Sequence, residues 1–186
     1  MDWWIYLIIG IVVLLVLIFI WIFNTLVVLR NRINNAWSQI NVQLKKRNDL
    51  IPNLVETVKG YAKYEKKVFT EVTKARTSIM NAKTLAKKAQ ASDMLTNALK
   101  SLFAVAENYP KLEASKNFLM LQEELSGIES KIAYARQFYN DSVLKYNNRI
   151  QTFPANMLAG GLGHKTREYF KVAEVEKKVP KVKIEV

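Results

Sequence analysis

From Trp3 to Phe23 the chain reads WWIYLIIGIVVLLVLIFIWIF, an apolar run that contains no charged residue. A helix needs about 20 such residues to cross the hydrocarbon core of a bilayer. The run therefore constrains the chain to an N-terminal membrane helix with a domain hung from it. A cleaved signal peptide would carry a basic n-region and a small-residue cleavage site. Here Met1-Asp2 is acidic, and Asn24 to Leu29 (NTLVVL) holds no A-x-A-like site. The chain has no cysteine, which excludes a lipidated cysteine at a processed N-terminus. Residues 1–29 are expected to stay as a transmembrane anchor.

Orientation follows from Lys and Arg near the span, which favour the cytoplasmic side. None precedes the run, whereas Arg30, Arg32, Lys45, Lys46 and Arg47 follow it. The expected topology is single-pass, with the N-terminus out and the C-terminal domain cytoplasmic. Trp3, Trp4 and Tyr6 would lie at one interface and Trp21 near the other, where amphipathic rings prefer to sit.

All 28 Lys and Arg and all but one of the 16 acids lie beyond the apolar run. This cationic domain is attracted to anionic headgroups, which favour each nearby Lys or Arg by about 1 kcal/mol. Membrane lipids are thus expected partners. Basic faces such as Lys59, Lys63, Lys66 and Lys67 raise nucleic acid as the other acidic partner, but no recognised reader module accompanies them, and nucleic acid is not expected.

The hydrophobic pattern beyond the span is helical. Leu26, Leu29, Ile33, Ala36, Ile40 and Leu44 recur at steps of three and four, so the anchor helix is expected to run on into the domain. A break is expected at Asn48-Asp49-Leu50-Ile51-Pro52, because Pro lacks an N–H and Asp is a good N-cap. Arg47, Asp49, Pro52, Asn53 and Glu56 are accordingly read as a structural turn. A second helix carries Leu54, Val58, Tyr61, Val68, Val72, Ala75 and Ile79, with Glu65 as its one poor fit. It should end in a connector at Lys83 to Gln90. Ser92-Asp93 would cap a third helix, ended by Tyr109-Pro110.

The clearest pattern is Phe118, Leu121, Leu125, Ile128, Ile132, Ala135, Tyr139, Ser142, Tyr146, Arg149 and Phe153, a heptad seam that lets long helices pack side by side. The expected fold is all-α: a long antiparallel bundle of three to four helices over residues 30–154, behind the single transmembrane helix. Residues 155–186 read as a Gly-rich loop (Gly160, Gly161, Gly163) and a tail. In that tail Glu168 to Lys177 is expected as a short helix and Val179 to Val186 as extended chain.

Two long blocks, Leu29–Val68 (LRNRINNAWSQINVQLKKRNDLIPNLVETVKGYAKYEKKV) and Leu121–Pro154 (LQEELSGIESKIAYARQFYNDSVLKYNNRIQTFP), resemble the LemA family of bacterial membrane-anchored proteins. The order of anchor, first block, variable middle and second block agrees as well. The resemblance implies a helical antiparallel bundle behind one membrane helix, in the inner membrane of a bacterial cell, and no established enzymatic activity. It also links some relatives to membrane compartments, including magnetosomes, and others to membrane proteases.

No catalytic, metal or cofactor site is expected. A di-iron bundle needs Glu-x-x-His pairs on facing helices, and the one histidine, His164, falls in the Gly-rich loop. Glu123, Glu124 and Glu129 have no such partners. The loop glycines match no phosphate-binding motif. One polar set stands out on the last helix: Arg136, Tyr139, Asn140, Tyr146, Asn147 and Arg149. Asn140 and Asn147 are one heptad apart and share a face, and Arg136 neighbours Asn140. Such a set either fixes helix register or forms a docking surface.

The function expected on these grounds is a non-enzymatic membrane-anchored scaffold that binds protein partners or itself. A substrate adaptor for a membrane protease and a lipid-shaping protein are the alternatives. Self-association as a homo-oligomer is expected through the stripe from Leu26 to Leu44, with neighbouring anchors covering Leu26, Leu29 and Ile33.

Overall fold

The structure, a computed structural model, describes residues 3–171. Its regular elements are all helices: α1 Trp3–Lys59, α2 Lys66–Asn81, α3 Leu85–Ala106, α4 Pro110–Glu113, α5 Lys116–Gln151 and α6 Asn156–Ala159. Packing divides the described chain into two units. The first is residues 3–39 with Ala135–Tyr169, and the second is Ile40–Tyr134 with residues 170–171. Both α1 and α5 contribute to each unit.

In the second unit the cross-helix contacts fix the topology. Lys59 of α1 lies 6.0 Å from the Phe69 ring of α2, and Arg76 of α2 reaches the Asn48 carbonyl, so α2 runs back along α1. Lys88 of α3 donates to Asn41 and Arg47 donates to Ser92 and Thr96, so α3 runs parallel to α1. Phe103 and Phe118 pack edge to face at 6.0 Å, and Thr96 approaches Glu129 at 3.4 Å, so α5 opposes α3. The result is an up-down-up-down bundle, as short connections between helices favour. Its core joins Ile51, Leu54 and Val58 of α1, Phe69, Val72 and Ile79 of α2, Leu95, Leu99 and Leu102 of α3, and Phe118 and Leu125 of α5.

In the first unit α5 returns along α1. Trp37 meets Tyr139 at 5.9 Å, Arg32 lies 5.0 Å from the Phe138 ring, and Arg149 lies 4.4 Å from the Trp21 ring. Ile22, Leu26, Ile33 and Ala36 are buried on α1, and Tyr139, Val143, Tyr146 and Ile150 on α5. Ahead of Ile22 the large apolar side chains from Trp3 to Trp21 are exposed. The helix is long and apolar enough to cross a membrane.

The chain departs from its sequence pattern in several places. No turn forms at Arg47, Asp49, Pro52, Asn53 and Glu56: α1 passes through all of them, with Pro52 inside the helix. An interior proline deprives the carbonyl four residues back of its amide. Here that carbonyl belongs to Asn48, and the Arg76 Nε donates to it at 3.3 Å. The chain instead breaks after Lys59, where Gly60 to Glu65 form the link and Glu65 precedes α2. The expected connector at Lys83–Gln90 shrinks to residues 82–84, because Thr84 caps α3 by accepting from the Lys87 N–H. Ser92 and Asp93 are therefore buried within α3 rather than capping it. Leu26 and Ile33 are buried within the single chain and Leu29 is half-buried. In the tail, residues 168–171 form no helix. The rest of that expected helix, and Val179 to Val186, lie outside the described residues.

Two measurements follow. Leu125 and Ile132 are both buried, so Leu125→Asp or Ile132→Asp should lower stability by several kcal/mol, about 4, by burying an unpaired charge. Unchanged melting of both would remove the seam from the core. Arg76→Met should cost about 1–3 kcal/mol by leaving the Asn48 carbonyl unsatisfied. That loss should shrink in a Pro52→Ala background, where residue 52 regains its N–H. A double-mutant cycle in denaturant reads the coupling, and strict additivity would contradict the compensation.

Candidate functional site

Three polar constellations emerge, two in the second unit and one in the first. The deepest centres on Arg47. Its side chain is wholly buried and ties α1 to two further helices, α3 and α5. Nη1 donates to Thr96 Oγ1 at 3.0 Å and pairs with Glu129 Oε1 at 2.5 Å. Nη2 donates to Ser92 Oγ at 2.7 Å and to the Ser92 carbonyl at 3.3 Å. A buried charge is tolerated only with this density of partners. The hub explains Ser92, which the sequence read as part of a helix cap, and Glu129, which it read only as lacking metal-site partners. The rest of the expected turn set is less engaged. Asp49 is exposed, the Asn53 carbonyl accepts from Thr57, and Glu56 pairs with Lys59 at 3.1 Å on the surface. Among the described residues no three His, Cys, Asp or Glu side chains gather as metal ligands.

The polar set on α5 does not face an empty surface. The structure brings three of its members together on the chain's own segment after α6. Asn147 Nδ2 donates to the Arg167 carbonyl at 2.9 Å and its Oδ1 accepts the Arg167 N–H at 2.9 Å. The Tyr139 hydroxyl donates to the Glu168 carbonyl at 3.1 Å. Tyr146 Oη lies 3.0 Å from His164 Nδ1. A paired amide of this kind holds an extended segment as an added strand would. Burial raises the Tyr139 phenol above its ordinary value, with Arg167 opposing and Glu168 adding to the shift. Burial also lowers the His164 imidazole, and the Arg30 and Arg167 charges lower it further. Arg149 stacks over Trp21 instead of joining the clasp, while Arg136 and Asn140 are half-buried on α5.

The third constellation is a groove of about 1300 Å³ in the second unit. Lys59, Lys63, Lys66, Lys74 and Lys87 rim it, Phe69, Ala82, Ala91 and Met94 contribute its apolar lining, and among the described residues no acid lines it. Thr70, Thr73, Thr77 and Ser78 also line it, and each hydroxyl already donates to the backbone carbonyl one turn back. The sequence shows Lys59, Lys63 and Lys66 only as a basic face. The apolar lining from α3 has no local signal, because Ala91 and Met94 approach α2 only through the fold.

These features define a class: an all-α bundle bearing one long N-terminal apolar helix, its buried polar groups engaged in holding helices and a terminal segment together. Residues 36–184 match the LemA family, and the chain belongs to that family. It is 29% identical over 152 residues to Protein LemA of Metamycoplasma hominis, covering 80% of this chain and 68% of that protein. It is 27% identical over 174 residues to Magnetosome protein MamQ 2 of Paramagnetospirillum magneticum, covering 80% of this chain and 64% of the relative. Against Magnetosome protein MamQ of Magnetospirillum gryphiswaldense the identity is 26% over 159 residues, covering 72% and 58%. The chain thus spans less than two thirds of these MamQ proteins. None of these names denotes an enzyme. Family and relatives indicate a membrane-associated protein.

The Arg47 hub makes an asymmetric prediction. Glu129→Ala leaves a fully buried guanidinium without its carboxylate and should cost about 3–5 kcal/mol. Arg47→Met removes the buried charge, and the remaining Glu129 side chain, 34% exposed, can turn to water. Its cost should therefore be smaller. Denaturant melts in which Arg47→Met proves the more damaging would contradict the hub as described.

Proposed function

We propose that the protein is a non-enzymatic membrane-anchored adaptor, single-pass in a bacterial inner membrane with its bundle in the cytoplasm. Through the Lys-rimmed groove it receives an acidic amphipathic helix of a protein partner. The observation that carries this reading is the groove itself: five lysines, no acid among the described residues, and an apolar lining that includes the exposed Met94. An amphipathic helix docks by laying its apolar stripe into such a groove, and an unbranched Met adapts to varied side chains. Acidic residues flanking the stripe would meet the lysine rim and speed encounter. The buried polar groups support a non-catalytic role, because Arg47, Tyr139 and Asn147 are committed to structural partners. The run of exposed apolar side chains from Trp3 to Trp21 supports the anchor, since a surface that large and apolar calls for a non-aqueous partner.

The chain has no native cysteine, so site-directed crosslinking in native membranes is clean. Thr77→Cys and Met94→Cys, each carrying a photoreactive maleimide, should give an adduct with a second protein, whether a membrane protease or another membrane protein. Ser101→Cys, exposed on α3 away from the groove lining, should not. Lys63→Glu with Lys66→Glu should abolish the adduct. Equal adducts from Ser101→Cys, or adducts only with further copies of this chain, would reject the groove as a site for a foreign helix.

A further inference from the structure

Beside the clasp on α5 is a second, smaller cavity, of about 230 Å³, lined by Arg30 of α1, Tyr146 of α5, and Gly163, His164, Lys165, Thr166 and Arg167. Three cationic side chains thus line it with an imidazole and a phenol, and among the described residues no acid lines the space. Among the described residues no ion pair neutralises Arg30, Lys165 or Arg167. Like charges brought together repel, so an anion among them would relieve that repulsion.

The surrounding chain holds them there. Gly163 has a φ of 74°, a left-handed conformation that a side chain disfavours, and it turns the chain into the segment 164–168. Asn147 then grips the Arg167 backbone through both its N–H and its carbonyl. Tyr146 orients His164 at 3.0 Å. The cation cluster is therefore set by hydrogen bonds that do not involve its charges.

Depth adds a second constraint. Arg30 follows the last residue of the apolar run, Phe23, by about 10 Å of helix at roughly 1.5 Å per residue. That is close to the headgroup layer, and a long side chain can reach back toward it. Basic pockets beside membrane helices bind phosphate-bearing headgroups, and a guanidinium pairs with phosphate through two parallel hydrogen bonds.

We propose that the cavity of Arg30, His164, Lys165 and Arg167 is an anion site that takes a phosphate group. In it Arg30 and Arg167 chelate the phosphate oxygens and Lys165 adds charge from the rim. The phosphate comes either from an anionic lipid headgroup or from free phosphate in solution. His164 is the built-in reporter. Its imidazole is lowered in part by Arg30 and Arg167, so an anion between them restores it toward its ordinary value.

The chain has a single histidine, so its imidazole resonance can be titrated in the full-length protein without ambiguity. The protein is held in an uncharged, phosphate-free maltoside micelle, with ionic strength matched by chloride. One arm adds inorganic phosphate, and the other dopes the micelle with phosphatidic acid. The expected result is a saturable upward shift of the His164 midpoint, absent with chloride alone. Saturation by inorganic phosphate identifies a free-phosphate site. A response to phosphatidic acid alone identifies a headgroup site. No saturable shift in either arm overturns the proposal. Arg30→Gln with Arg167→Gln should abolish the response. Arg30→Lys, which keeps the charge and the fold, should weaken it several-fold. An undiminished shift in the double variant would mean diffuse screening and would also overturn the site. The site is separate from the Lys-rimmed groove, so its failure leaves the adaptor reading intact.

Discussion

A proline inside a helix leaves one carbonyl without its amide, and in α1 that carbonyl is Asn48's. The Arg76 guanidinium supplies the missing donor. One residue earlier, Arg47 turns inward, and its two terminal nitrogens bond to Ser92, Thr96 and Glu129. Two arginines thus let a helix continue where its sequence invites a break. The bundle of the second unit depends on that continuity. Ile51, Leu54 and Val58 lie beyond Pro52 and form the α1 wall of the core. Were the chain to turn at Asp49, these three residues would enter the bundle on a different helix in a different direction.

The same arginines explain which parts of the fold were legible in advance. The seam on α5 could be read residue by residue, because Phe118, Leu125, Ile128, Ile132, Tyr139 and Tyr146 keep a heptad spacing and all are buried. The stripe on α1 looked finished at Leu44. In the structure it continues through Arg47, Ile51, Leu54 and Val58 in unbroken steps of three and four, all of them buried. A charged residue at a seam position hides the register from any reading based on hydrophobicity. Pro52, two residues after an Asp-Leu pair, completed the appearance of a turn. The real break at Gly60 to Glu65 was signalled by Gly60 directly after Lys59, a helix-stop pairing, and by Glu65, which fitted its stripe poorly.

The candidate sites were legible in a different measure. Tyr139, Tyr146 and Asn147 stood out in the polar set on the last helix, and each has a specific partner. Those partners are the backbone at Arg167 and Glu168 and the ring of His164, on a segment that follows the Gly-rich loop and reaches only the first residue of the helix expected at Glu168 to Lys177. The groove and the cationic cavity escaped sequence reading because their residues are distant in the chain. Arg30 and Arg167 acquire a common meaning only when α5 brings the terminal segment back to α1. The excess of basic residues was visible as a total, whereas its separation into a Lys-rimmed groove and an Arg-rich cavity is a property of the fold. A cationic bundle of this kind attracts acidic partners, and these two concavities give the attraction places at which shape also selects.

Amide hydrogen exchange across Pro52, in the full-length chain in a mild detergent, tests the central claim most directly. In a continuous α1 the amides of Asn53, Leu54 and Val55 bond to the carbonyls of Asp49, Leu50 and Ile51, and all three should exchange slowly, like those of Val58 and Ile40. A helix that began at Pro52 would leave these same amides as first-turn donors without intrahelical partners. Fast exchange confined to Asn53, Leu54 and Val55 would contradict the continuous helix, and with it the placement of the core built on its far side.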